Sequence, residues 1–236
     1  MKPFRILIPV FSLFFISQGC DASSQNNSMS TTDSTATRYV ALGDSYTICE
    51  GAAENESWPL NLAKDITAKN IPVSLIANPS RTGWTTQNLI DRELPVFDKS
   101  NADAVTLLIG VNDWVQGVDI TTFKRNLIYI LDHLQSKLTK KKNILLITIP
   151  DFGVTPTGKM YSGGRDISKG ISAFNDVIKE EASKRGLPLV DIFSTTQQMG
   201  ADATLVAADG LHPSAKEYAV WEKMILPEFE KMLSGN

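Results

Sequence analysis

The sequence predicts an α/β protein, a three-layer α/β/α sandwich with about five parallel strands flanked by helices. Three observations predict it. Short apolar runs recur along the chain and stop at Gly or Pro. Segments with apolar residues at helical spacing lie between them. The runs are continuous rather than alternating, as expected when helices cover both faces of a parallel sheet.

Taken in order, residues 39–42 form a buried strand stopped by Gly43. Residues 59–69 form a helix whose apolar positions are Leu60, Leu62, Ala63 and Ile66. Residues 73–77 are a second strand, and residues 104–109 a third, stopped by Gly110. Phe123, Leu127, Leu131, Leu134 and Leu138 mark the next helix. Lys140, Lys141 and Lys142 are expected to close it, where positive charge suits the dipole. Residues 143–149 are a fourth strand, stopped by Pro150. A helix through Ile171, Phe174, Ile178 and Ala182 leads to a short fifth strand at 189–192. The last helix opens at Ser214, with Glu217 placed for a capping box, and Pro227 is expected to kink or interrupt it.

A chain of 236 residues suits one globular domain with room for extra segments. Its 42% hydrophobic and 21% charged content excludes a wholly disordered or fibrous chain. A net charge of -3 is no footprint for nucleic acid. With two His and two Cys, neither a His- or Cys-built zinc site nor a disulfide scaffold is expected, and H-E-x-x-H is missing. Neither G-x-G-x-x-G nor a Walker loop follows a strand, since Thr157-Gly158-Lys159 lacks the upstream Gly. No cofactor is expected. Imidazole chemistry falls to His133 or His212.

The first residues are of a different character. Lys2 and Arg5 precede an apolar stretch from Ile6 to Ile16, and Ser17-Gln18-Gly19-Cys20 closes it. Residues 1–19 read as a signal peptide. The ending resembles a bacterial lipobox, which implies lipidation of Cys20, although Ser17 stands where Leu is most usual. Residues 20–36 are mostly small and polar, the composition of a flexible tether. The expectation is an exported, membrane-anchored protein of the cell envelope, with residues 37–236 as its folded domain. Cys49 then lacks an intrachain partner and reads as a small buried hydrophobe.

Four segments follow strands or precede the last helix, where ligands bind in such folds. They are Gly43-Asp44-Ser45-Tyr46, Asn78 through Gly83-Trp84-Thr85, Gly110-Val111-Asn112-Asp113, and Asp209-Gly210-Leu211-His212. Together and in this order they resemble the blocks of the SGNH hydrolases, also called the GDSL esterase/lipase family. The resemblance runs from about Tyr39 to the last helix, nearly the whole domain. Tyr46 replaces the Leu of the eponymous motif, and Pro79-Ser80 stand where a Gly is frequent. The elbow of the larger α/β-hydrolase group, G-x-S-x-G, is absent, because Thr47 stands at its final Gly.

The resemblance implies a flavodoxin-like sandwich and a serine esterase acting through an acyl-enzyme. Ser45 is the implied nucleophile and His212 the base. Asp209 is the carboxylate that orients the imidazole. The backbone N–H groups of Ser45 and Gly83 and the side-chain amide of Asn112 form the implied oxyanion hole. His133 sits mid-helix with no motif around it and reads as structural. Asp44 and Asp113 read as turn-shaping acids that bond local N–H groups. Trp58, Trp84 and Trp114 stand near these segments in sequence; Trp84 and Trp114 either line an acyl pocket or pack in the core, and core packing is open to Trp58 as well. The implied substrates are carboxylic esters, of lysophospholipase, short-chain esterase or thioesterase type. A carbohydrate O-acetylesterase is the alternative, and a catalytically silent tethered binding protein is the reading from another class.

Overall fold

The structure, a computed structural model, describes residues 36–235. The expected signal peptide, Cys20 and all but the last residue of the expected tether lie outside the described residues.

The chain runs β1 (Thr37–Gly43), α1 (Ser45–Ile48), α2 (Trp58–Ala68) and β2 (Val73–Ala77). Next come α3 (Thr86–Asn88), a π-helical turn (Leu89–Glu93) and α4 (Leu94–Ser100). β3 (Ala104–Leu108), α5 (Val111–Val115), α6 (Ile120–Lys137) and β4 (Ile144–Ile147) follow. The chain closes with α7 (Ile167–Arg185), β5 (Leu189–Val190), α8 (Phe193–Thr196) and α9 (Ala215–Ser234).

The strands form one parallel sheet in the order β2-β1-β3-β4-β5. β3 and β4 are buried at every position, and β1 from Tyr39 onward, which explains their unbroken apolar runs. β2 lies at the edge and exposes Ile76. α2 packs on α9 in one helical layer. α4, α6 and α7 form the other, bridged by Asp98–His133 and Lys124–Glu180. His133 is therefore an interhelix contact, as expected. The sheet reverses its winding between β1 and β3, and the carboxyl ends of those two strands frame the crevice where ligands bind in such sheets.

Several local expectations are corrected. Ser214 does cap α9, but its hydroxyl donates to the Thr204 carbonyl (2.8 Å), and Glu217 accepts from Trp221 Nε1 (2.8 Å). Docking against the 203–205 turn replaces the capping box. α9 continues through Pro227, because Tyr218, Trp221, Ile225 and Phe229 are buried along its length and hold both halves. α6 ends at Lys137, so the three lysines lie beyond it, in the turn into β4. The α3–α4 segment was not anticipated. Its sequence carries Asp91, Arg92, Glu93 and Pro95, which break the apolar period.

Gly43 marks the tightest point of the sheet. A Cβ there would collide with the Leu108 carbonyl oxygen and the Thr47 hydroxyl. Overpacking of this kind costs about 1–3 kcal/mol. Gly43→Ala is expected to lower the melting temperature by roughly 2–10 °C, measured by calorimetry; an unchanged melt would refute the constraint.

Candidate active site

β1 delivers Ser45 to the crevice. Asp44 (φ -128°, ψ -147°) turns the chain out of the strand, and its Oδ1 accepts from Tyr46 N at 3.0 Å. Asp44 is thus the turn-shaping acid expected. Ser45 opens α1 and is 4% exposed. The turn is held from outside as well. Trp58 Nε1 donates to the Tyr46 carbonyl (2.9 Å), and Asn78 Nδ2 to the Thr47 carbonyl (2.9 Å). Trp58 is fully buried, so it packs in the core. Cys49 is buried as expected, and burial pushes its thiol up, away from reactivity.

The loop before α9 brings Asp209 and His212 together. Asp209 Oδ1 accepts from the N–H groups of Leu211 (2.8 Å) and His212 (3.0 Å). Its other oxygen lies 2.6 Å from His212 Nδ1. Partial burial pushes the Asp209 carboxyl up, but the hydrogen bonds from the His212 ring and the two N–H groups outweigh it and hold it below its ordinary value. An ionised carboxylate at Nδ1 fixes the tautomer with Nε2 free to accept a proton. The His212 ring meets α1 edge-on through Tyr46, with centroids 5.8 Å apart. Ser45 Oγ and His212 Nε2 are not hydrogen-bonded to each other. Such contacts are often long before substrate binds.

The segments that carry Gly83 and Asn112 are hydrogen-bonded to each other. Gly83 (φ +81°) needs its glycine for backbone conformation rather than for space, since no atom lies within 4 Å of a Cβ placed there. Its carbonyl accepts from Gln116 Nε2 (2.9 Å), while its N–H has no acceptor among the described residues. Asn112 Nδ2 donates to the Trp84 carbonyl (2.9 Å). One amide hydrogen therefore holds the Gly83 loop, and the other is left for a ligand. Trp84 is half-buried. Trp114 packs in the core, edge-on to Phe152 (5.9 Å) and beneath the Arg165 guanidinium (3.9 Å). Asp113 corrects its expectation. It accepts not from local groups but from Thr86 N (2.8 Å) and the Thr86 hydroxyl, tying α5 to α3.

Two features escaped the sequence. Glu50 Oε2 lies 3.9 Å from His212 Nε2 and accepts from the Thr82 hydroxyl. Carboxylate and imidazole atoms of Glu50, Asp209 and His212 all lie within 4.8 Å of one another. The other feature is a buried acid layer beneath Ser45. Glu93 is fully buried and accepts from Gly43 N at 2.9 Å. Asp44 Oδ2 and Asn78 Oδ1 are buried without partners among the described residues. Desolvation pushes Asp44 up to about 8, opposed by the Tyr46 N–H and aided by Asp113. It also holds Glu93 well above the carboxylate range, with the Gly43 N–H opposing and the Asp44 charge adding.

These acids bind protons more tightly folded than unfolded. Their contribution to stability is fully present below the unfolded carboxyl range, about pH 4. It is lost as pH rises through the folded values, about 8 for Asp44. Wild-type protein is expected to melt at progressively lower temperature from roughly pH 5 to 9. Glu93→Gln, neutral throughout, should shrink that decline; an equal slope in both proteins would show that Glu93 is not protonated in the fold.

Comparison with known proteins places this geometry in context. Residues 41–220 match the GDSL-like Lipase/Acylhydrolase family. A multidomain esterase of Ruminococcus flavefaciens is 31% identical over 141 residues, covering 58% of this chain and 17% of that protein's length. The fold is similar to that of TesA (TM-score 0.67, 20% identity, covering 83% of this chain and 99% of that one). It is also similar to that of Axe2, an acetylxylan esterase from Geobacillus stearothermophilus (TM-score 0.65, 18% identity, covering 82% and 94%). With the match spanning β1 into α9 and all four sequence blocks, the chain belongs to the GDSL-like lipase/acylhydrolase family.

Proposed function

We propose that the chain is a serine esterase that hydrolyses carboxylic esters through Ser45, His212 and Asp209. The observation that carries this reading is the 2.6 Å contact between Asp209 Oδ2 and His212 Nδ1, beside the helix that begins with Ser45. His212 Nε2 takes the Ser45 proton as Oγ attacks the ester carbonyl. The same nitrogen returns it to the leaving alcohol as the C–O bond breaks, leaving an acyl-enzyme. Water, activated by His212, then releases the acid. The N–H groups of Ser45 and Gly83 and the second Asn112 amide hydrogen meet the tetrahedral oxyanion.

Deacetylation of a carbohydrate is the second reading. Half-buried Trp84 on the Gly83 loop favours it, as a platform for a sugar ring. The name of Axe2, an acetylxylan esterase, points the same way. Lysophospholipid and short-chain esters are the competing substrates.

Ser45→Ala is expected to abolish hydrolysis of p-nitrophenyl acetate by residues 37–236, and equal activity would refute the mechanism. Asn112→Ala should lower kcat roughly 10²–10³-fold, the typical cost of one oxyanion donor. A chain-length series of esters, run beside acetylated xylan and lysophospholipid, identifies the substrate.

We further propose export and anchoring through Cys20, supported by the n-region, apolar stretch and Gly19-Cys20 ending. Cys20→Ser in the full chain is expected to move the protein from the membrane to the soluble fraction, and unchanged partitioning would show that Cys20 is not the anchor.

A further inference from the structure

We infer that Glu50 is a specificity-determining residue that selects against esters whose alcohol carries negative charge near the scissile bond. The inference rests on the serine-esterase reading above. In that reaction His212 Nε2 gives its proton to the leaving oxygen, so that oxygen comes within hydrogen-bond reach of Nε2. Glu50 Oε2 is 3.9 Å from the same nitrogen. The group attached to the leaving oxygen must therefore pass within a few ångströms of the Glu50 carboxylate.

Glu50 is held in that position at three points. Its N–H donates to the Ser45 carbonyl (2.9 Å), and its carbonyl accepts from the Tyr218 hydroxyl (2.9 Å). Its carboxylate accepts from the Thr82 hydroxyl, next to Gly83. The side chain is 39% exposed, so it reaches the surface a substrate approaches. Asp209 adds a second negative charge on the other side of the imidazole. Among the described residues, no Lys or Arg pairs with either carboxylate; Arg81, on the Thr82 loop, makes no ion pair with Glu50.

A leaving group carrying phosphate or sulfonate near its oxygen meets this acidic rim unpaired. A neutral polyhydroxylated alcohol has hydroxyls to donate to Glu50, and a cationic alcohol gains attraction. The rim thus favours neutral sugars and cationic alcohols over phosphoglycerol or nucleotide-bearing thiols. A charge interaction over this distance in a half-exposed site is worth roughly tenfold in rate per unit charge.

The test uses three phenyl acetates with a meta trimethylammonium, nitro or sulfonate substituent, assayed on wild type, Glu50→Gln and Ser45→Ala. Comparing each ester between proteins cancels leaving-group basicity. The ratio of kcat/KM for sulfonate over ammonium ester is expected to rise roughly 100-fold in Glu50→Gln, and the shift should shrink with added salt. An equal fall on all three esters, with the ratio unchanged, would overturn the inference and leave Glu50 as a positioning residue. Glu50→Ala repeats the test without the amide's hydrogen bonds. If Ser45→Ala hydrolyses the esters as well as wild type, the esterase reading itself fails; if Ser45→Ala is dead and the ratio does not move, only the role of Glu50 fails.

Discussion

The close approach of β1 to β3 at Gly43 is the constraint on which the site depends. There the β1 backbone lies against the Leu108 carbonyl and the Thr47 hydroxyl, with no room for a side chain. Two parallel strands brought that close end at the same level, and each must then turn away from the other. β1 turns into α1 and presents Ser45; β3 turns at Gly110 (φ +126°) into α5 and presents Asn112. The buried Glu93 carboxyl caps the junction by accepting from Gly43 N–H, a group the strand pairing leaves unmet.

From that junction outward, the site is assembled by polar ties between segments far apart in sequence. Asn112 holds the Trp84 carbonyl, Gln116 the Gly83 carbonyl, Asp113 the Thr86 N–H, and Asn78 the Thr47 carbonyl. Apart from the exposed Gln116–Gly83 bond, each tie satisfies a loop group that burial would otherwise strand, so most of the bonds that orient the site are also those that folding requires. The same logic explains Trp58. Its indole N–H meets the Tyr46 carbonyl, so a core residue steadies the turn that carries Ser45. The Asp209–His212 unit differs. It is closed within four residues by the Asp209 contacts to two N–H groups and one ring nitrogen, and needs little from the rest of the chain.

This contrast sets what the sequence could reveal. The strands were legible because continuous apolar runs have one common cause, burial on both faces. Ser45, Gly83, Asn112, Asp209 and His212 were legible as members of a family pattern. The tie from Asn112 to Trp84 was not, because it spans 28 positions. Asp113 looked local for the same reason, since nothing in Asn-Asp-Trp signals a partner at Thr86. Glu93 was hidden by its type: a carboxyl in a charged stretch reads as solvated, and only the fold buries it. Glu50 was hidden likewise, being five residues from Ser45 yet beside a histidine from the other end of the chain. Ser214 and Glu217 show the converse error. The capping signature is present, but a partner at Thr204 takes the Ser214 hydroxyl, and Trp221, one turn further along the same helix, takes the Glu217 carboxylate.

The acids around Ser45 divide by environment, and the division bears on the chemistry. In the proposed reaction, attack on an ester carbonyl creates a negative oxygen next to the N–H groups of Ser45 and Gly83. Ionised carboxylates directly beneath would oppose it, and two acids, Asp44 and Glu93, lie there. Desolvation pushes both upward, Asp44 to about 8, which favours their uncharged forms. Asp209, at the solvent edge, is instead held below its ordinary value and stays ionised where an imidazolium needs it. Burial thus disfavours charge on the carboxyls beneath Ser45, while hydrogen bonds from the His212 ring and two N–H groups preserve it on Asp209. As pH approaches about 8, Asp44 ionises, and the field beneath Ser45 turns unfavourable to a negative oxygen there. In the proposed esterase reaction, an alkaline loss of activity would therefore have a source in the buried layer.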